Sequence, residues 1–326
     1  MKVTDHIKNA NGKTLFSFEV IPPKKGKNIQ DLYNNIDPLM EFKPPFIDVT
    51  TSREEYVYID RGNGLLDKRI TRMRPGTVGI CASIMHKYNV DAIPHLLCGG
   101  FTKEETEYVL VDCHYLGLDN VMALRGDSMK EEAYFKPCEG GHAYASELVA
   151  QIAKLNRGKY LHDDVVVESN SDFCIGVAGY PEKHMEAPSL ITDLKRLKAK
   201  VDAGADYVVT QMFFDNSKYF EFVNKAREIG IDVPIIPGIK PIAVKRHLQL
   251  LPQVFKIDLP QDLIDAVEAC KDNKAVRQVG IEFAIQQSKE LLDFGVPVLH
   301  YYSMGKSDNI KLLPKHCFKY SITFVV

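Results

Sequence analysis

Short apolar runs alternate with longer amphipathic ones along the whole chain. Eight of the short runs read as β-strands: residues 15–21 (LFSFEVI), 46–50 (FIDVT), 92–98 (AIPHLLC), 120–124 (NVMAL), 173–180 (FCIGVAGY), 207–213 (YVVTQMF), 233–239 (VPIIPGI) and 296–302 (VPVLHYY). They are rich in Val, Ile and Phe and are bounded by Gly, Pro or charged residues, as strands buried on both faces are. Between them the apolar period lengthens to that of a helix. Residues 103–116 follow Thr102, an N-cap candidate whose capping-box partner is Glu105. Residues 189–203 carry Leu190, Leu194, Leu197 and Val201 at helical spacing and stop at Gly204. Residues 217–229 and 280–294 stop the same way, at Gly230 and Gly295.

Eight such units in 326 residues have about 41 residues each (326/8), enough for a strand, a helix and two loops. The pattern predicts an α/β chain folded as a single-domain (β/α)8 TIM barrel. A doubly wound open sheet is the alternative; no GxGxxG follows the first strand, which weakens a dinucleotide-binding version of it. Residues 53–75 and 157–172, the latter with HDD and ESNSD runs, exceed one unit's needs and read as surface loops. No Pro/Ser-rich linker divides the chain. The expected domain is 1–308, followed by a 309–326 tail whose SITFVV end suits an added strand, an interface segment or a frayed terminus.

Composition narrows the function classes. Lys plus Arg is 41 and Asp plus Glu 43, a formal net charge of −2, which argues against a protein built to neutralise nucleic-acid phosphates. With 45% hydrophobic and 26% charged residues, the chain can bury enough apolar surface to outweigh its entropy. No run approaches the roughly 18 apolar residues of a membrane span, and the polar N-terminus has no signal-peptide core. Seven irregularly spaced cysteines without a CxxC pair suit a reducing cytoplasm better than a disulfide framework or zinc finger.

Chemistry in a barrel gathers where strands end, and the expected strand ends are polar. Glu19 closes the first, Thr50 the second and Tyr180 the fifth; His95 and Gln211 lie within the third and sixth; Arg125 and Asp127 follow the fourth. Period-two alternation puts Phe16 and Phe18 on one face and Ser17 and Glu19 on the other. A carboxyl pointing into the barrel mouth among apolar groups is pushed toward its protonated form and suits a general acid; a structural ion pair is the alternative. Arg125-Gly126-Asp127 reads as a turn held by its own charges or as a close approach to a flat ligand with a polar edge. His95 reads as a satisfied core histidine or a site residue. His184, Glu186 and Asp193 match no compact metal motif. Lys195, Arg196, Lys198 and Lys200 form a solvated face from which one or two could meet phosphate.

These residues fall in seven stretches that resemble, in order, the methylenetetrahydrofolate reductase family: FSFEVIPP at 16–23, PHLLC at 94–98, ALRGD at 123–127, YASELV at 144–149, AGYPEKHMEA at 178–187, LKAKVDAGADYVVTQMFFD at 197–215 and PIIPGIKPI at 234–242. The resemblance implies a cytoplasmic, homo-oligomeric (β/α)8 flavoprotein. Such an enzyme reduces 5,10-methylenetetrahydrofolate to 5-methyltetrahydrofolate, supplying methyl groups for methionine synthesis, with FAD as cofactor and NADH or NADPH as reductant. It makes Glu19 the acid that opens the imidazolidine ring, and Asp127 the carboxylate beside flavin and folate. Gln211 becomes the pterin contact. Thr50, His95, Arg125, Gly126, Asp127, Tyr144, Ala145, Tyr180, His184, Asp193 and Lys200 become FAD contacts. No metal, nucleic acid or membrane is implied. The chain departs from the family at Thr51–Glu54, where an aromatic and a Gly-rich turn are usual. It departs at Ala199, in place of a basic FAD contact for which Arg196 or Lys198 could compensate, and near Leu251, in place of an aromatic that packs on the folate. The residues alone also admit a non-redox barrel lyase, with Glu19 as acid–base and Lys240 as a Schiff-base lysine, and a binding or scaffold protein that has lost chemistry.

Overall fold

All eight expected strands form in the computed structural model, which describes residues 1–129, 132, 134–162, 166 and 168–318. The strands, in chain order, are β1 (Leu15–Val20), β2 (Phe46–Val49), β3 (Glu55–Asp60), β4 (Leu66–Thr71), β5 (Asp91–Leu97), β6 (Asn120–Leu124), β7 (Cys174–Gly179), β8 (Tyr207–Thr210), β9 (Ile235–Ile236), β10 (Gly238–Ile239) and β11 (Val298–Tyr302). Nine of them make one parallel sheet in the order β10-β11-β1-β2-β5-β6-β7-β8-β9. β9 and β10 are halves of one strand broken at Pro237, which has no N–H to donate to a ladder. β9 pairs with β8 and β10 with β11, so the two halves close the ring and nine ladder strands fill eight barrel positions.

Alternation along each strand builds two cores. Outward residues such as Phe16, Phe18, Ile47, Val121, Ile175, Val208 and Leu299 pack against the helices. Inward residues Phe46, Ile93, Met122, Cys174, Tyr207, Ile236 and Val298 fill the base of the barrel together with Val3. Val3 comes from a short helix, Val3–Asn9, that the polar N-terminus did not reveal; it plugs the base, with its backbone N–H bonded to Asn120 Oδ1. Two inward glycines make room for rings. A Cβ on Gly176 would lie 2.4 Å from Tyr207 Cζ, and one on Gly238 would lie 2.5 Å from Tyr302 Cε2.

The expected capping box is present: Thr102 Oγ1 accepts from Glu105 N at 3.1 Å and Glu105 Oε2 from Thr102 N at 2.8 Å. Three expectations need correction. Residues 53–75 are not a plain loop: β3 and β4 pair as an antiparallel ribbon around Gly62 and Gly64, both at positive φ. The helix expected at 280–294 begins at Asn273, capped by Asp272, because its first turns pack against the helix Gln261–Glu268. The boundary at 308 does not end the packing: Ile310 and Leu313 are fully buried in the outer core and Phe318 packs on Phe16. The SITFVV segment of the 309–326 tail and most of the HDD run lie outside the described residues. Among the described residues no helix is long and apolar enough to cross a membrane.

Candidate functional site

The same inward register that fills the base with apolar side chains turns polar toward the C-terminal ends of the strands. Ser17 and Glu19 of β1, Asp48 of β2, His95 of β5, and His300 and Tyr302 of β11 all point inward. Above them opens a cavity of about 880 Å³, of the size of a small-molecule site. Its wall includes every residue that the resemblance assigns to the acid, the cofactor or the substrate: Glu19, Thr50, His95, Arg125, Gly126, Asp127, Tyr144, Ala145, Tyr180, His184, Asp193, Lys200 and Gln211.

At the bottom of the cavity the ionisable groups form a connected cluster. His95 Nε2 lies 3.4 Å from Asp48 Oδ1 and 3.8 Å from Glu19 Oε2. Ser17 Oγ and His300 Nδ1 are 2.8 Å apart, and His300 Nδ1 is 3.9 Å from Asp48 Oδ2. Glu19 is 8% exposed, and burial pushes its carboxyl up to about 7 against the pull of His95. Burial disfavours charge on His95 too, but Asp48 and Glu19 outweigh it and raise its pKa. His300, buried with weaker compensation, is held below the ordinary histidine value. His95 is thus neither a plain core residue nor isolated. Asp48 and His300 were missed in the sequence; Asp48 shares inward parity with Thr50, and that was the available signal.

The far side of the cavity is made by loops, one helix start and the face of a second helix. Gly126, after β6, sits at φ +85°, a conformation that favours glycine and lets backbone approach a ligand. Arg125 is not paired with Asp127 across that turn. Its guanidinium makes a bidentate bond to Glu186, at 2.6 and 2.7 Å, and lies 5.0 Å over the Phe135 ring. The helix Ala145–Leu155 starts beside the cavity, where Glu147 accepts from the backbone N–H groups of Ala143 and Tyr144. The helix Leu190–Asp202 presents Asp193, Arg196, Ala199 and Lys200 to the cavity on one face. Asp193 Oδ2 accepts from His184 N at 2.9 Å and His184 Nδ1 from Glu186 N at 3.1 Å, which sets the turn after β7. Tyr180 meets the His184 ring edge-on at 4.8 Å. Lys200 Nζ donates to Ala178 O, and burial lowers its ammonium to about 8, with Asp193 opposing.

The three departures resolve differently. Thr51–Glu54 do line the cavity, and Arg53 Nη1 donates to Asp127 O at 3.1 Å. Beside Ala199 the cavity is lined by Arg196, whereas Lys198 bonds to Asp202 along its own helix. Leu251 is buried in a core with Met212 and Ile257, and Phe255, one turn further on the same helix, reaches the cavity. Lys240 is buried and does not line the cavity, so a Schiff-base role for it has no geometric support.

The chain matches the methylenetetrahydrofolate reductase family model over residues 2–316. It is 34% identical to methylenetetrahydrofolate reductase 1 of Schizosaccharomyces pombe over 96% of its own length and 48% of that protein's. It is 36% identical to the NADH-type enzyme 1 of Arabidopsis thaliana, covering 94% and 49%. With the 5,10-methylenetetrahydrofolate reductase of Escherichia coli it shares 32%, covering 91% and 88%. The chain therefore spans about half the length of the eukaryotic relatives and most of the bacterial one. In fold it is similar to a Clostridium thermocellum protein that binds two copies of 5-methyl-5,6,7,8-tetrahydrofolic acid, with a TM-score of 0.54 at 14% identity, over 92% of this chain and 91% of that one.

Proposed function

The chain belongs to the methylenetetrahydrofolate reductase family, and on that premise we propose that it reduces 5,10-methylenetetrahydrofolate to 5-methyltetrahydrofolate, using FAD as cofactor and NADH or NADPH as reductant. The observation that carries the reading is Glu19, a carboxyl buried at the cavity floor, where burial pushes it up to about 7. A general acid works best in that range.

The walls fit a flat, elongated anion. Gly126 offers backbone without a side chain, and Arg125, together with Arg196 and Lys200 on the cavity face of the helix Leu190–Asp202, supplies positive charge. Thr50, His95, Arg125, Gly126, Asp127, Tyr144, Ala145, Tyr180, His184, Asp193 and Lys200 would hold FAD. Bound there, FAD would supply a hydride store filled by the nicotinamide and emptied onto the folate carbon. Glu19 protonates the nitrogen that leaves that carbon, which opens the ring to an iminium. Asp127 places negative charge beside the cation so formed. Gln211 orients the pterin edge, its own Oε1 fixed by Met212 N at 2.9 Å. Residues 1–308, with the packed segment after them, make up the catalytic unit.

Purified protein should be yellow, and anaerobic NADH or NADPH should bleach it. Adding 5,10-methylenetetrahydrofolate should then restore the colour. A protein that takes up no FAD, or whose bleached flavin the folate leaves unchanged, refutes the proposal.

A further inference from the structure

Lys240 follows β10 and is only 4% exposed. Among the described residues its ammonium has no hydrogen-bond or salt-bridge partner. A charged group this deep is costly unless a counter-charge is near. The barrel register says which one. Ile239 is level with Tyr301, Tyr301 with Phe18, and Tyr302 with Glu19. One residue beyond Ile239, Lys240 therefore stands at the level of Tyr302 and Glu19. Ile239 faces the outer core, so alternation sends Lys240 inward with Gly238. Two strand spacings, on the order of 10 Å, separate the Lys240 and Glu19 backbones.

The surroundings of both groups are few. Glu19 faces Asp48 of β2, His95 of β5 and Tyr302 of β11 besides Lys240. Lys240 faces Glu19 and, from the helix His247–Phe255, His247. His247 Nδ1 accepts from Ala243 N at 3.2 Å, and burial together with Lys240 keeps that imidazole neutral down to about 4. Glu19 is the carboxylate left to answer the ammonium.

We propose that Lys240 is a positioning residue for the acid: its buried ammonium, held level with Glu19 two strands away, sets the pH at which Glu19 gives up its proton. This rests on Glu19 acting as proposed above. Burial favours the protonated carboxyl, and the negative charge left after donation is only 8% exposed at the cavity floor. Lys240 stabilises that charge. The coupling is mutual, since Glu19 holds the lysine up against burial, which brings it down to about 8. Positive charge on Lys240 favours the ionised form of Glu19, so its removal moves the Glu19 midpoint upward. A unit charge on the order of 10 Å away, at an effective dielectric near 20, is worth roughly one pH unit.

The test compares Lys240→Met and Lys240→Gln, which remove the charge, with Lys240→Arg, which keeps it. NMR titration of isotope-labelled glutamate carboxyls in the ligand-free protein, with Glu19 assigned by its loss in Glu19→Gln, reads the midpoint directly. It should rise by roughly one pH unit in both neutral variants and stay in place in the arginine variant. The alkaline limb of the folate half-reaction should move by the same amount, with flavin reduction by the nicotinamide unmoved. An unshifted midpoint in the neutral variants, or an equal shift in Lys240→Arg, overturns the proposal. Should the wild-type protein fail to turn over folate, the reductase reading falls and the titration still decides the role of Lys240. Should the methionine variant not fold, Gln against Arg carries the comparison.

Discussion

Replacing Glu19 by Gln keeps the shape of the side chain and removes its proton. The carboxyl sits at about 7, so near pH 7 half the molecules hold the proton; below that the acid is loaded, above it empty. The folate half-reaction should therefore fall as pH rises through about 7. In Glu19→Gln it should drop roughly 100- to 10,000-fold at pH 6, the usual worth of a general acid, and lose that pH dependence. Flavin reduction by the nicotinamide needs no proton on Glu19 and should stay within about threefold. Stability gives an independent reading. A carboxyl raised from its ordinary 4.5 to about 7 binds its proton more tightly folded than unfolded. Folding stability is then lost as pH rises across that window, by up to about 3 kcal/mol. Glu19→Gln removes the loss, so at pH 8 the variant should resist urea better than wild type, and at pH 4 the two should match. Stopped-flow measurement of each half-reaction and urea unfolding at both pH values are the assays. Equal losses in both half-reactions, or no gain in stability at pH 8, would refute the reasoning.

Asp127→Asn removes the negative charge expected beside the iminium; the folate half-reaction should fall roughly 100-fold and more than flavin reduction does, and an unchanged folate rate counts against the electrostatic role. Lys200→Ala should weaken FAD binding roughly tenfold or more, and flatten its salt dependence, as measured by recovery of flavin fluorescence on release; unaltered affinity would return Lys200 to a structural role. Gly176→Ala should cost about 1–3 kcal/mol in urea unfolding, because its Cβ would meet the Tyr207 ring in the packed base; an unchanged midpoint would mean that the base yields freely.

Much of this fold is legible because period and parity survive burial. Strand 120–124 is found to the residue, and the capping box at Thr102 marks its helix start. What escaped obeys other rules. The helix Val3–Asn9 carries mostly polar residues and is held by buried Val3, by Ile7 beside it and by polar contacts to Asn120 and Asp91, a set with no periodic signature. The ribbon β3–β4 alternates as strands do, but its side chains are largely exposed, so it lacked the apolar bias that marked the others. In the site, the residues read one at a time line one cavity, but their pairings are not legible in the sequence. Arg125 finds Glu186, 61 positions away, rather than its neighbour Asp127. Asp48 looked like one acidic residue in an apolar strand. Only the ring closure that pairs the last strand, β11, with the first, β1, brings His300 and Tyr302 into the cluster.

That closure also explains a division of labour within the cavity. Glu19, Asp48, His95 and His300, the groups that hold or move protons, all project from strands. Phe16, Phe18 and Tyr301 anchor β1 and β11 from the outer core, with ring centroids 5.7 Å apart. A slip of one residue in β1 would bury Glu19 among those rings and put Phe18 in the mouth, so the outer packing fixes the parity on which the acid depends. Of the groups assigned to the cofactor, Arg125, Gly126, Asp127, Tyr144 and His184 lie instead in loops or at a helix start, while Asp193 and Lys200 stand on one helix and His95 is shared with the strand cluster. Proton transfer tolerates little positional error, and the barrel wall provides a rigid support for it. A large ligand that must enter and be gripped needs backbone that can adjust, and the bidentate Arg125–Glu186 pair is the contact that such adjustment would exchange. The near-neutral chain supplies no broad positive field, so affinity for an anionic cofactor has to come from these few cations, each already held by a partner from another segment: Arg125 by Glu186 and Lys200 by the backbone oxygen of Ala178.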